Sequence, residues 1–363
     1  MHTPENCFTP FNESVVGYSL PERFTFPFYY TPHPLCELAA KELQQHLLAQ
    51  TDWQHNFGLD GDKLDADKSR HGGLGKMFGV LLVKNTQGEL GYLSAFSGKI
   101  SDQNLLPKFV PPVFDMLCED GFFRREQDDI TRVSEQYKLL AANPEIARRE
   151  AVLQCVQAEA IESIEAQRQK SIEARKNRNE QRTEGQAAGD EAALYLLNVR
   201  LGSESVADKH ESKALKLYWQ AQQEQAQAHL DLVAAEVNAL KEQRKNMSVA
   251  LQNKLFDQYR FLNTHGAEKN LADIFKETVY KVPPAGSGEC AAPKLLHYAF
   301  KAGMQPLALA EFWWGQPPKS EVRQHRHFYS ACKGKCQPIL GHMLEDIPMD
   351  PNPLLSNPAS DQD

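Results

Sequence analysis

Residues 75–96 read GKMFGVLLV-KNTQGE-LGYLSAF, two short apolar runs separated by six polar, glycine-containing residues. Runs of this length bounded by turn residues predict a β-hairpin, with strands over Gly75–Val83 and Leu90–Phe96. Both runs are apolar almost without alternation, which predicts a sheet covered on both faces. Upstream, Pro34-Leu35-Cys36 opens a helical pattern through Leu38, Leu43 and Leu47/Leu48. Proline suits the first turn of a helix because its missing N–H would have no partner there. Downstream, a helix is expected over Asn270–Thr278 and another over Cys290–Ala302, a strand over Pro306–Gly315, a loop over 316–330 and a helix over Cys332–Leu344. The order helix, strand, strand, helix, strand, helix predicts an α+β (α/β) mixed sheet with helices packed on it.

A long stretch interrupts this order. Residues 1–127 are rich in aromatics, Pro and Gly, whereas 128–262 are rich in Gln, Glu, Ala, Arg and Lys. Pro144 begins a helix after Asn143, and Gly185 and Gly189 break the pattern within Thr183–Asp190. Leu230, Val233, Val237, Leu240, Arg244, Met247 and Leu251 follow the three-and-four spacing of a coiled-coil seam. The expectation is a protruding antiparallel helical arm inserted at 128–262, between the halves 1–127 and 263–345 of one α/β domain. Residues 346–363, with four prolines and little to bury, read as a linker or tail.

The 363 residues are 41 % apolar and 24 % charged, with a formal net charge of -8. No apolar run approaches the roughly 20 residues that span a bilayer, so no membrane partner is expected. The N-terminus has neither the basic start nor the apolar segment of a signal peptide. Seven irregularly spaced cysteines then read as reduced thiols or metal ligands of a cytoplasmic protein. The mild acidity argues against bulk attraction to nucleic acid, but not against a local basic surface.

Three cysteines form the sharpest chemical pattern. Cys332 and Cys336 lie one helical turn apart, and Cys290 stands at the start of another helix, where the positive terminus favours a thiolate. With His342, His297, His325, His327 or water as a fourth ligand, the set suits zinc. The alternative is that the thiols are merely packed or solvent-facing, the reading also given to Cys7, Cys36, Cys118 and Cys155. The placement of Cys290 in GECAAP (288–293) and of the later Cys pair is similar to the zinc-dependent nucleotide deaminase fold. That resemblance implies a zinc-bound water and a proton-shuttling Glu two residues after the first ligand, a position occupied here by Ala292. It also implies a Cys pair spaced by two residues rather than three. An inactive deaminase-like domain is the expectation, with an active zinc hydrolase of a nucleobase as the alternative.

The segment Lys319–His327 (KSEVRQHRH), with Lys333 and Lys335, forms a basic patch beside the aromatic strand. Arg323, Arg326, Lys333 and Lys335 are the candidate RNA-backbone contacts, with Trp314 as a base-stacking platform and a solvated surface as the bland alternative. Weaker candidates are a glycine-rich phosphate cradle at 72–76 and an anion contact at Ser97-Gly98-Lys99. His46, His55 and His71 have no partners at ligand spacing.

At the level of the whole chain, CFTPFNESVVGYSLPERFTFPFYYTPHPLCELAAKELQ, the hairpin sequence with FVPPVFD and GFFR, LFDQYRFLN, PPAGSGECAAPKLLHYAF, PLALAEFWWGQPPKSEVR and FYSACKGKCQPILGHML resemble the N-terminal region of long bacterial RluA-type RNA pseudouridine synthases, over about residues 7–345. The resemblance implies RNA (rRNA or tRNA) as partner and a pseudouridine synthase catalytic domain in cis or in trans. The His-Arg-Leu-Asp segment that marks the catalytic domain does not occur in the sequence, so no catalytic residue carries over. The expectation is an accessory, RNA-positioning region, whether a fragment, a naturally truncated member or one whose synthase domain is encoded separately. A coiled-coil protein-interaction module is the remaining alternative.

Overall fold

The computed structural model describes residues 7–53, 55–59, 75–318 and 322–355. The chain divides into two compact units, residues 1–127 with 249–363, and residues 128–248.

The first unit is built on the hairpin of β2 (Lys76–Lys84) and β3 (Leu90–Phe96). Asn85 closes its turn, its side-chain oxygen accepting from the N–H groups of Gln87 and Glu89, while Gly88 takes a positive φ of 83°. A two-residue strand β1 (Thr9–Pro10) pairs with β3, and β6 (Gln305–Trp314) pairs with β2, giving the order β1-β3-β2-β6 with every pair antiparallel. Successive side chains point to opposite faces, and both faces are covered. Phe78, Val80, Leu82, Tyr92, Phe96, Ala310, Phe312 and Trp314 pack in one core with Leu35, Ala39, Leu43 and Leu47 of α1 (Pro34–Ala49). Leu81, Val83, Leu93, Ala95 and Leu309 form the other with α5 (Leu271–Lys276), α6 (Ala291–Lys301) and α7 (Cys336–Met343). A separate hairpin of β4 (Arg260–Leu262) and β5 (Glu268–Asn270) precedes α5, whose first turn Asn270 caps by accepting from Asp273 N.

The three expected strands and the helices near 34 and 290 lie within about a residue of the sequence reading. Three boundaries differ. Helix α5 stops at Lys276, two residues short, where the Thr278 hydroxyl bonds the Phe275 carbonyl instead. The last helix begins at Cys336 rather than Cys332, because Lys333–Lys335 form a turn. Residues 260–262, expected in the helical stretch, form β4 instead. Of the expected tail, residues 356–363 lie outside the described residues.

The second unit is helical. It contains most of α2 (Phe122–Ala141) and α4 (Glu191–Gln258), and all of α3 (Pro144–Ala187). Asn143 caps α3 with Pro144 in its first turn, as the sequence predicts. The chain reverses at 188–190, where Gly189 has a φ of 73° and the Asp190 carboxylate caps the first N–H groups of α4. Pairs run in opposite directions along the two helices: Lys170–Glu211 at 3.1 Å, Arg178–Asp208 at 2.5 Å, and Arg200 to Gln181 at 3.0 Å. Gly185 does not break α3 as expected. It lies inside the helix, and a Cβ there would stand 2.7 Å from Leu197, so its role is close packing at the reversal. The seam positions Leu230, Val233, Val237, Leu240, Arg244 and Met247 are all half-buried, and Arg244 lies over the Tyr137 ring.

Gly79 faces Glu311 across the β2–β6 ladder and lies under α6. A Cβ on it would stand 3.0 Å from both Ala291 Cβ and Leu295 Cδ1. Gly79→Val therefore forces α6 off the sheet and is expected to cost about 1–3 kcal/mol, read as a lowered Tm in thermal unfolding. An unchanged Tm would contradict this packing.

Candidate metal centre

Helix α6 starts at the sheet edge with Cys290 as its N-cap residue, and α7 starts with Cys336. The turn before α7 carries Cys332, whose carbonyl accepts from Cys336 N at 3.2 Å. The three sulfurs lie within 4.8 Å of one another, with Cys332 and Cys336 3.4 Å apart. Tetrahedral thiolates on zinc at about 2.3 Å have sulfurs about 3.8 Å apart, so the trio fits a zinc ion with little movement. The spacing within the chain is helical only in part. It is the turn at 333–335, not two successive helix positions, that brings Cys332 to Cys336.

The trio shares its protons unevenly. Hydrogen bonds from the Cys290 and Cys336 thiols, aided by the N–H groups of Cys336 and Lys335, hold the Cys332 thiol far below the ordinary thiol range. The hydrogen bond it gives to Cys332 raises Cys290 to about 12, and the bonds to both neighbours with burial raise Cys336 well above its usual value. Cys332 is thus the sulfur that gives up its proton most readily, and a metal would displace the protons of the inner thiols.

None of the four candidate histidines completes the set. The His342 ring meets the Phe261 carbonyl at 3.0 Å, His297 Nδ1 accepts from Leu262 N, and His325 Nδ1 accepts from Gly315 N at 2.9 Å. His327 is exposed on the loop after β6. Among the described residues no imidazole or carboxylate joins the three sulfurs within the span they share.

Sequence reasoning missed Glu311. It lies in β6, only 4 % exposed, and its Oε1 accepts from Ala292 N at 3.2 Å in the first turn of α6. Burial pushes its carboxyl up to about 7, and the Cys332 thiolate adds to the rise. The signal available was a lone acid in PLALAEFWW, an otherwise apolar run that is buried from Leu307 onward. Glu289, beside Cys290, is occupied elsewhere. It accepts from the Tyr259 hydroxyl and pairs with Lys294 at 3.1 Å, and Lys294 is itself buried against the Phe96 and Gly98 carbonyls.

The basic candidates lie on the segment between β6 and α7. Arg323 stacks on the Tyr329 ring at 4.4 Å, Arg326 on Trp314 at 5.4 Å and Lys333 on Tyr29 at 4.9 Å. Lys335 precedes Cys336, and its ammonium reaches Gly286. Trp314 needs correction as a base platform. It is 1 % exposed in the core under α1, its ring met by Arg326 and by His325 at 4.4 Å, so no base reaches it. The anion contact at Ser97–Lys99 is likewise overturned, since Ser97 N and Gly98 N already donate to the Met77 and Glu289 carbonyls and Lys99 pairs with Asp102. His46 and His55 pack among aromatic rings, while His71, Gly72, Gly73, Leu74 and Lys319 lie outside the described residues.

If the trio takes zinc, Cys290→Ser or Cys336→Ser should reduce bound metal well below one ion per chain, while Cys155→Ser leaves it unchanged, as measured by elemental analysis. Because binding an ion displaces thiol protons, zinc affinity should fall as the pH is lowered. A pH-independent affinity would mean that the sulfurs do not hold the ion.

No helix among the described residues is long and apolar enough to cross a membrane. No family model, no curated protein and no solved structure matches the chain.

Proposed function

We propose that this chain is an accessory, RNA-positioning region of an RluA-type RNA pseudouridine synthase, binding structured RNA without isomerising uridine itself. The observation that carries the reading is the segment between β6 and α7. It supplies Arg323, Arg326, Lys333 and Lys335 together with two of the three thiols. Three of these cations lie against aromatic rings, which restricts their motion and lowers the entropic cost of meeting phosphates. A metal held by Cys290, Cys332 and Cys336 would tie that basic segment to the first turn of α6, so its chemistry here is bracing.

The order α1, β2, β3, α6, β6, α7, with a thiol at each of the last two helix starts, supports a deaminase-like reading of the sheet domain. Ala292, where that fold carries its proton-shuttling acid, supports a binding scaffold over a deaminase. The half-buried seam from Leu230 to Met247 supports reading the helical unit as an antiparallel coiled-coil arm.

Binding of a structured rRNA fragment or a tRNA, followed at several salt concentrations, tests the proposal. The Arg323→Ala/Arg326→Ala/Lys335→Ala chain should bind at least tenfold more weakly, and its salt slope should fall by about 2 to 3 units. Unchanged affinity and slope in a folded variant would overturn the reading.

A further inference from the structure

Trp314 is closed to a base, and two further rings beside the basic segment already carry cations, Tyr329 under Arg323 and Tyr29 under Lys333. A base that stacks on a protein needs an aromatic ring that solvent reaches and that is held in place. Tyr280 meets both conditions. It is 48 % exposed, and among the described residues no cation lies over its ring. Its centroid stands 6.4 Å from that of the fully buried Phe275, with the two rings tilted by 53°.

The loop that presents this ring is tied down at its base. The Thr278 hydroxyl donates to the Phe275 carbonyl at 2.7 Å and accepts from Tyr280 N at 3.2 Å. Val282 N then donates to the Tyr280 carbonyl at 2.6 Å, around Lys281 with a φ of 58°. A three-residue turn with a lysine at positive φ is strained. It leaves Val279 and Val282 outside any core, 91 % and 61 % exposed. An apolar cluster held in water by a strained turn marks a contact surface.

The neighbours of the cluster identify what it contacts. The Tyr280 hydroxyl lies 4.0 Å from where a side chain on Gly334 would begin, so the ring stands beside the turn that carries Lys333 and Lys335. On its other flank Lys281 Nζ bonds the Lys276 carbonyl at 3.4 Å. Residues 276–282 and 332–336 together hold four lysines and one acid, Glu277. Lysines around an exposed ring fit a polymer that is anionic along its backbone and planar in its side groups.

We propose that Tyr280 stacks an unpaired base while Lys281, Lys333 and Lys335 meet the adjoining phosphates, so that this surface takes a single-stranded loop or bulge of RNA. The inference rests on the RNA reading above and adds to it a base-stacking residue and a preference for unpaired nucleotides.

The test uses the full chain and an RNA hairpin whose loop carries 2-aminopurine, a base whose fluorescence falls when it stacks. The parent chain should quench the probe and should bind a fully paired duplex of the same length several-fold more weakly. Tyr280→Ala, with the parent's Tm, should bind the hairpin about tenfold more weakly and without quenching. Its salt slope should stay at the parent value, because stacking releases no counterions. Tyr280→Phe and Tyr280→Trp should both bind and quench as the parent does. A parent chain that binds no RNA removes the functional reading itself. Where the parent binds, an unchanged affinity and quenching in Tyr280→Ala overturn this inference alone, as does equal binding of the duplex. A defect that neither Phe nor Trp repairs makes the residue structural and overturns it too. So does binding to anionic vesicles that Tyr280→Ala loses while its RNA affinity stays intact, which would make the loop a lipid contact.

Discussion

The close approach of α6 to the sheet is the constraint on which the first unit depends. Ala291, Ala292, Leu295, Leu296 and Ala299 present a fully buried face, and Gly79 beneath them removes the side chain that would hold the helix away. Small residues on both partners let the helix settle closely on the strands, where dispersion contacts are dense. The start of α6 then falls at the end of β6, and Cys290 is delivered to the sheet edge with Ala292 N–H directed at Glu311.

Burying this helix start encloses charge as well as apolar surface. Lys294 sits almost wholly buried, its ammonium spread over two carbonyls and the Glu289 carboxylate, with the Phe96 ring 5.5 Å away. Such a pair adds little net stability over an apolar replacement, but losing one partner would strand a buried charge. Its evident effect is to fix where α6 begins relative to the end of β3. The thiol trio acts on the other side of the same turn, joining α6 to the segment before α7. Position, more than stability, is what these polar groups provide.

Bracing of this kind suits the proposed function, which asks for a surface that meets phosphates. Arginines held over the rings of Tyr329 and Trp314 are restrained before any ligand arrives, and a metal on Cys332 and Cys336 would anchor the β6–α7 segment that carries them. The proposed function therefore joins the two features that looked separate in the sequence. Trp314 serves as the support beneath a cation and not as a stacking platform, a role set by its place in the core.

The sequence by itself determined the local structure: the hairpin at 76–96, the capped start of α1 at Pro34, the start of α3 at Pro144 and the half-buried helical seam. These rest on periodicity and on residues whose backbone preferences act over a few positions. The sequence also singled out Cys290, Cys332 and Cys336, because thiols at helix starts are a local pattern. Their convergence is decided only by the tertiary structure, since 41 residues, including the whole of β6, separate Cys290 from Cys332. The same holds for the histidines, whose backbone partners lie in other elements, and for Glu311, whose meeting with Ala292 depends on β6 lying beneath α6. Side-chain type and spacing set what each residue can do; burial and strand pairing decide which residue meets which.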